Sequence, residues 1–386
     1  MKVAYCINIW THYQDSFCRE MAAILGNDFK MVLFTPLDEL RSFNGEGDNR
    51  SKQPWVSPAP KEDWIIQPPQ TASEHIGGKW NRLLEDADIA IVGYCGHMSY
   101  EVLQNRERLK KKTFFMGERL HKIPRRVRDY FNPCILKRWF GQHMLLRGEY
   151  TSYLTISHYG VEDLKFLRVC KNRIYQWGYF PATSLEYIGK QRHNKLRIGW
   201  CGRMIDWKHV EYIIKAVGRL PPEIQSVCEV ILVGEGPEKE KLVELSRTLG
   251  VEKVIKFETY KPVRENMEFM RSLDVYIFPS DRGEGWGVAL MEAMDKGCVP
   301  IANAAAGATL ELVESGCNGF VFQDGDIDAI SGYLQTIIAN PDLCKSMSVA
   351  AWHKMQDWSP RVAALRLMEI LDKNHIPEEG IGRLRG

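Results

Sequence analysis

The chain has 386 residues, 45% of them hydrophobic, and a formal net charge of +2. That length exceeds what one hydrophobic core usually serves, so two domains are expected. Ten cysteines without a CxxC pair or zinc-type spacing exclude a cysteine-built metal site, and no stretch approaches the roughly 20 apolar residues of a membrane-spanning helix.

In chain order, residues 1–9 form an apolar run too short for a signal peptide and read as a first strand. Further short apolar runs follow at 29–34, 89–94, 113–116, 153–156 and 174–180. Stretches with helical periodicity separate several of them, which favours a parallel α/β sheet. Residues 41–78, rich in Pro, Gly and Ser, read as an irregular insertion. The first 190 residues are basic, with 27 Lys and Arg against 21 Asp and Glu. Much of that excess lies in 106–140, where twelve cations oppose three acids and alternate with Phe114, Phe115, Tyr130, Phe131, Trp139 and Phe140. This stretch reads either as a solvated face over an ordinary core or as a surface docking on an anionic membrane, where each basic residue contributes about 1 kcal/mol. No nucleic-acid module flanks it, so nucleic acid is not an expected partner.

From Leu196 the alternation is cleaner. Strands are predicted at 196–202, 230–233, 254–257, 275–278, 299–301 and 319–322, and helices from 207 and at 239–249, 264–273, 288–296, 309–314 and 327–338. Val210, Ile213, Ile214, Val217 and Leu220 set the apolar face of the first helix. Six strands with intervening helices make a doubly wound nucleotide-binding domain, in which ligands sit at the carboxyl ends of the strands. The polar stretch 187–194 is the natural linker, giving domains of 1–190 and 191–358 and a final segment of 359–386. Scattered cysteines, several inside predicted strands, read as reduced thiols of a cytoplasmic protein.

Two segments carry chemistry. At 279–292, Pro-Ser-Asp-Arg-Gly-Glu-Gly-Trp-Gly-Val-Ala-Leu-Met-Glu, three glycines bracket an acid and a Trp where a strand gives way to a helix. Backbone amides there can approach a phosphate, and the helix dipole favours an anion. Because an anion repels carboxylates, Glu284 and Glu292 are expected to accept hydrogen bonds from sugar hydroxyls and a ribose diol. The second segment, Gly202 to His209, also follows a strand. With Asp206 as N-cap, Lys208 falls in the first helical turn, where a cation is disfavoured by about 0.3–1 kcal/mol unless an anion offsets it. Arg203 and Lys208 are suited to clamp a diphosphate, or else form a surface ion pair.

These motifs resemble glycosyltransferase family 4. Gly202, Arg203 and Lys208 match the family's Gly-Arg turn followed by Lys, and Glu284 and Glu292 match its paired glutamates. The segments 233–237 and 318–322 add two further matches in the right order. The resemblance implies an α/β fold of GT-B type, two Rossmann-like doubly wound domains facing across a cleft, with the last helix crossing back to the first domain. It implies a retaining, metal-independent hexosyltransferase that uses a nucleotide sugar as co-substrate, with no cofactor. Arg203 and Lys208 would neutralise the leaving diphosphate and Glu284 would contact the transferred sugar, these three being the catalytic set. Gly202, Gly285, Trp286, Gly287, Val288 and Glu292 would bind the donor, and His97 matches a family histidine that touches the donor sugar. The implied acceptor is a glycan or lipid-linked glycan in cell-surface polysaccharide biosynthesis, with the enzyme in the cytoplasm or at the inner face of the plasma membrane. Two departures stand out: the loop after the first strand, 10–15, has no glycine, and 304–307 reads Ala-Ala-Ala-Gly where relatives carry paired glycines. They keep open a nucleotide-sugar-binding protein without turnover; a nucleotide-sugar epimerase is the other alternative. Asp324-Gly325-Asp326 resembles a metal-binding DxD, but a helix N-cap accounts for it, and no metal is expected.

Overall fold

The computed structural model describes residues 1–35, 59–66, 79–94, 97–118, 148–166, 168–190 and 193–374. It divides into two units, Met1–Ala182 with Ser359–Gly386, and Thr183–Trp358.

The first unit is built on seven parallel strands: β1 (Val3–Ile7), β2 (Phe29–Leu33), β3 (Ile65–Ile66), β4 (Ile89–Gly93), β5 (Thr113–Gly117), β6 (Thr151–Ile156) and β7 (Ile174–Trp177). Their order is β3-β2-β1-β4-β5-β6-β7. Strands β1 and β4 are buried along their whole length, as expected of a parallel sheet covered on both faces. The direction of winding reverses between β1 and β4. The helix Pro360–Asn374 packs within this unit. Arg361 Nη1 lies 3.1 Å from Glu20 Oε2, and Arg366 donates to the Gln176 carbonyl at 3.0 Å while lying over the Trp177 ring. Of the expected insertion 41–78, only 59–66 is described, and it contributes the short β3.

The basic stretch is corrected in part. Phe114 and Phe115 are core residues of β5, and Arg106 is 1% exposed, so none of the three faces a membrane. Arg106 donates to Thr113 Oγ1 at 2.9 Å, to the carbonyls of Ala87, Asp88 and Lys112 at 3.1, 3.2 and 2.8 Å, and to the Leu84 carbonyl. It ties together the chain entering β4 and β5. Burial pushes its guanidinium down to about 10. Arg108 and Lys110 are exposed, and residues 119–140 lie outside the described residues.

The second unit holds β8 (Leu196–Cys201), β9 (Cys228–Val233), β10 (Ile255–Glu258), β11 (Val275–Phe278), β12 (Val299–Asn303) and β13 (Phe320–Phe322). All are parallel, in the order β10-β9-β8-β11-β12-β13. Winding reverses between β8 and β11, so the crevice at a switch point lies beyond the ends of those two strands. Ile198, Val230, Leu232, Ile277 and Ile301 form the core with Ile213, Ile214, Val217, Ile330 and Leu334 from the covering helices. The unit begins ahead of the boundary expected at 190/191, because the connecting segment is bonded to it. Ser184 donates to Asp295 Oδ2 at 2.8 Å, Tyr187 Oη lies 2.9 Å from Ser348 Oγ, and Lys190 donates to the Lys296 carbonyl at 2.7 Å.

The helix expected from residue 207 starts at Val210 instead. Asp206–Lys208 form a 3-10 turn, and His209 takes a left-handed conformation (φ 45°, ψ 43°) that breaks the turn from the helix. Asp206 accepts from the Trp207 amide at 2.8 Å rather than capping the helix. Sequence periodicity did not anticipate the helix Pro341–Asp357 or the short helix Pro222–Ser226.

Candidate active site

The loops after β8 and β11 meet at the switch point of the second unit. Two glycines set the first loop. A Cβ on Gly234 would lie 1.9 Å from the Gly202 carbonyl oxygen, and one on Gly236 would lie 2.2 Å from that of Met204. The loop after β9 therefore presses directly on the loop after β8, and amides of Gly202 and Met204 donate to Val233 and Glu235 at 3.0 and 2.8 Å. The Val-Gly-Glu-Gly-Pro segment is thus a backbone support for Gly202–Met204.

Three main-chain bonds to two segments fasten the second loop. The Asp281 amide donates to the Trp207 carbonyl at 2.9 Å, the Gly307 amide to Glu284 at 3.3 Å and the Ala308 amide to Trp286 at 3.0 Å. Gly287 ends it with φ 112°, where a Cβ would meet the Phe278 ring at 2.3 Å, so only glycine passes the chain into the helix Val288–Asp295. The Leu290 amide in the first turn is taken by the Gly287 carbonyl at 3.0 Å, whereas the first amide, that of Val288, has no acceptor within the helix, a geometry suited to an anion.

Of the expected residues, Lys208 and Glu284 are brought into direct contact as an ion pair, their side chains 20% and 18% exposed. Arg203 is exposed on the same loop as Lys208. Gly202, Gly285, Gly287 and Val288 lie on the loops and helix start, and Glu292 is half-buried in the helix Val288–Asp295. Trp286 needs correction as a donor contact. Its ring is 1% exposed, donates to Met291 Sδ at 3.2 Å and packs 5.5 Å from the Trp358 ring. It anchors the loop from below, leaving only its backbone for a ligand. His97 opens the helix His97–Arg108 in the first unit; its side chain lies outside the described residues.

The sequence reading gave no site role to several neighbours. His209 Nε2 lies 3.2 Å from Asp281 Oδ2 and Nδ1 3.0 Å from Glu211 Oε1. Asn303, fully buried at the end of β12, donates to the Pro279 carbonyl at 3.1 Å and to Asp324 Oδ1 at 2.8 Å. Asp324 also accepts from Tyr212 Oη at 3.4 Å. Their position just past strand ends was the available signal. The carboxylates of 324–328 are all engaged: Asp326 accepts from the Ala329 amide at 2.9 Å as the helix N-cap, and Asp328 pairs with Arg219 at 2.8 Å.

Beneath the site, Cys201 closes β8. The Asn266 side-chain amide donates to its sulfur at 3.4 Å, and burial pushes its thiol up to about 11, which keeps it protonated and unreactive.

Residues 186–353 match the family described as glycosyl transferases group 1. The match lies within the second unit and takes in most of it. The GDP-mannose-dependent alpha-(1-6)-phosphatidylinositol monomannoside mannosyltransferase of Mycolicibacterium smegmatis is 30% identical over 44% of this chain and 46% of its own. The amylovoran biosynthesis glycosyltransferase AmsK of Erwinia amylovora is 24% identical over 74% of this chain and 70% of its own. Curated relatives at about 30% identity are matched over less than half of their own length. Among solved structures, the Anabaena protein HepE in complex with UDP superposes with a TM-score of 0.70 at 16% identity, covering 97% of this chain and 100% of its own. Two parallel sheets and this likeness make the fold GT-B. Among the described residues, no helix is long and apolar enough to cross a membrane.

Proposed function

We propose that the protein transfers a hexose-type sugar, with retention of anomeric configuration, from a nucleotide diphosphate sugar to a glycan or lipid-linked acceptor in cell-surface polysaccharide biosynthesis. The observation that carries this reading is the Lys208–Glu284 pair at the β8/β11 switch point, beside exposed Arg203 and the start of the helix Val288–Asp295. A cation and a carboxylate already matched to each other can exchange partners when a donor enters. The diphosphate takes Lys208, Arg203 and the amides of Gly287 and Val288, and Glu284 is released to accept from sugar hydroxyls.

As the glycosidic bond lengthens, negative charge grows on the diphosphate and positive charge on the sugar. Lys208 and Arg203 stabilise the first, and Glu284 orients and stabilises the second. Neutralisation by these cations and the helix amides lets the reaction run without a metal or cofactor. Glu292, one turn into the helix Val288–Asp295, would accept from the ribose diol. The Mycolicibacterium relative named for GDP-mannose and the HepE complex with UDP make GDP- and UDP-sugars the first donors to test. The name of the former also supports a lipid-linked acceptor, and that of AmsK a polysaccharide role. Attachment to an anionic membrane through 106–140 then rests on Arg108, Lys110 and residues beyond 118. Flotation with anionic vesicles should fall with salt; equal recovery on neutral vesicles counts against attachment.

The decisive experiment is a thermal-shift screen with UDP-, GDP- and ADP-sugars. At least one should raise the melting temperature, and Lys208→Ala and Arg203→Ala should weaken the rise. No shift with any of the three defeats the donor reading. A shift without transfer to any acceptor supports the alternative of a binding protein without turnover, and conversion of donor with no acceptor present supports an epimerase. Product anomeric configuration by NMR checks retention.

A further inference from the structure

His209 is an unusual residue for its conformation. It sits at φ 45°, ψ 43° between the 3-10 turn that ends at Lys208 and the helix that begins at Val210. Left-handed geometry is uncommon for a side chain with a Cβ, and histidine is among the residues that take it more readily. Both ring nitrogens face carboxylates, Nε2 at 3.2 Å from Asp281 and Nδ1 at 3.0 Å from Glu211. The ring stacks on Tyr212, with centroids 4.6 Å apart and planes 10° from parallel.

The two carboxylates belong to different elements. Glu211 lies in the first turn of the helix after β8, whereas Asp281 lies in the loop after β11 that carries Glu284 three residues later. The imidazole therefore spans the two loops that meet at the switch point. It adds to two other links between them: the Asp281 amide bonds the Trp207 carbonyl at 2.9 Å, and Lys208 pairs with Glu284. The Lys208 link has to open for a donor to take that cation. When it does, the main-chain bond and the His209 bridge still hold the loops in register.

Resting on the glycosyltransferase reading above, we propose that His209 is a positioning residue for the donor site: by bridging Asp281 and Glu211 it locks the turn that aims Lys208 at the diphosphate.

The bridge is made by the imidazolium. Burial alone lowers the pKa, but the hydrogen bonds that the ring donates to the Asp281 and Glu211 carboxylates more than offset it and lift His209 to about 9 from 6.5. Other groups around it are Lys208 on its own turn, Tyr212 beneath the ring, Lys215 over the far side of Tyr212, and Asp324, which accepts from Tyr212. Since the folded pKa is raised, the bridge is fully present below 6.5 and is lost as pH rises through about 9. Donor affinity should carry that limb.

Two variants separate the bridge from the backbone. His209→Asn keeps a residue that tolerates left-handed geometry but lacks a charge, and His209→Gly relieves the backbone altogether. Amide hydrogen exchange of the peptides covering 203–209 and 281–286, measured without donor, reads the coupling directly. Both variants should exchange about tenfold faster in both peptides, with the rest of the unit unchanged. With UDP-glucose or GDP-mannose, whichever the wild type uses, donor KM should rise about tenfold with kcat little changed, and its basic limb near pH 9 should disappear. Asp281→Asn should reproduce the KM effect. Unchanged exchange in both peptides overturns the proposal whatever the donor data show. Faster exchange with an unmoved donor KM and pH profile overturns it too, leaving His209 a structural link. A wild type that binds no nucleotide sugar defeats the functional reading instead, and with it the donor-site role assigned to His209.

Discussion

Arginine and lysine have opposite fates in the two units. In the second unit Arg203 and Lys208 stand just past a strand's carboxyl end, partly exposed and free to exchange partners. In the first unit Arg106 is sealed below the sheet, its guanidinium spent on carbonyls of the chain entering β4 and β5. Between β1 and the helix His12–Leu25, at the first unit's own switch point, Asn8 to Thr11 carry no charge; Trp10 is 5% exposed and Thr11 donates to Gln14 at 3.0 Å. Two sheets of closely similar topology thus use charge differently, one as a ligand-facing group and one as an internal clamp. Local charge counts do not separate these cases, because burial depends on what the fold places around the side chain.

The largest test of this contrast is Lys208→Ala, which should lower kcat/KM for the donor about a thousandfold. Steady-state kinetics measure it, with Arg19→Ala as the control, a first-unit cation already paired with Asp15 and Glu62. A comparable loss in both variants would erase the distinction between the units. Next, Arg106→Ala should cost about 3 kcal/mol of stability, since it removes the buried guanidinium that bonds four carbonyls and Thr113 Oγ1. A urea denaturation midpoint at the wild-type value would show that the clamp is dispensable.

Gly234→Ala sharpens the second-unit side. Its Cβ would sit 1.9 Å from the Gly202 carbonyl, so about 2 kcal/mol should be lost along with donor affinity. Gly189→Ala, with open space around it, should be silent in the same melting and binding assays. Smallest is Asp326→Ala. Loss of the cap on the Ala329 amide should cost about 1 kcal/mol and leave donor kinetics alone. A donor or metal effect from this variant would reopen the DxD reading.

Much of the second unit was legible in the sequence. All six strands appear within about two residues of the predicted spans, because apolar runs bounded by Gly, Pro and acids leave few alternatives in a parallel sheet. The first unit was less so. Its insertion has no periodicity, and β3 is two residues long, pairing only through the register Met31↔Ile65 and Val32↔Ile66. Within the site, Lys208 and Glu284 were readable as residues to watch, each beside its strand end. Trp286 was expected at the donor through the resemblance alone, whereas its ring turns inward to Trp358, seventy-two residues on. His209 was passed over because the helix was started too early.

By itself, then, the sequence determined the strands, the glycine-rich turns after them and the residue types able to meet a diphosphate, since these follow from local periodicity and backbone allowance. Tertiary structure decided which charges meet. Lys208 finds Glu284, and His209 finds Asp281, only because β8 and β11 lie side by side where the winding reverses, and that adjacency is a property of the folded sheet.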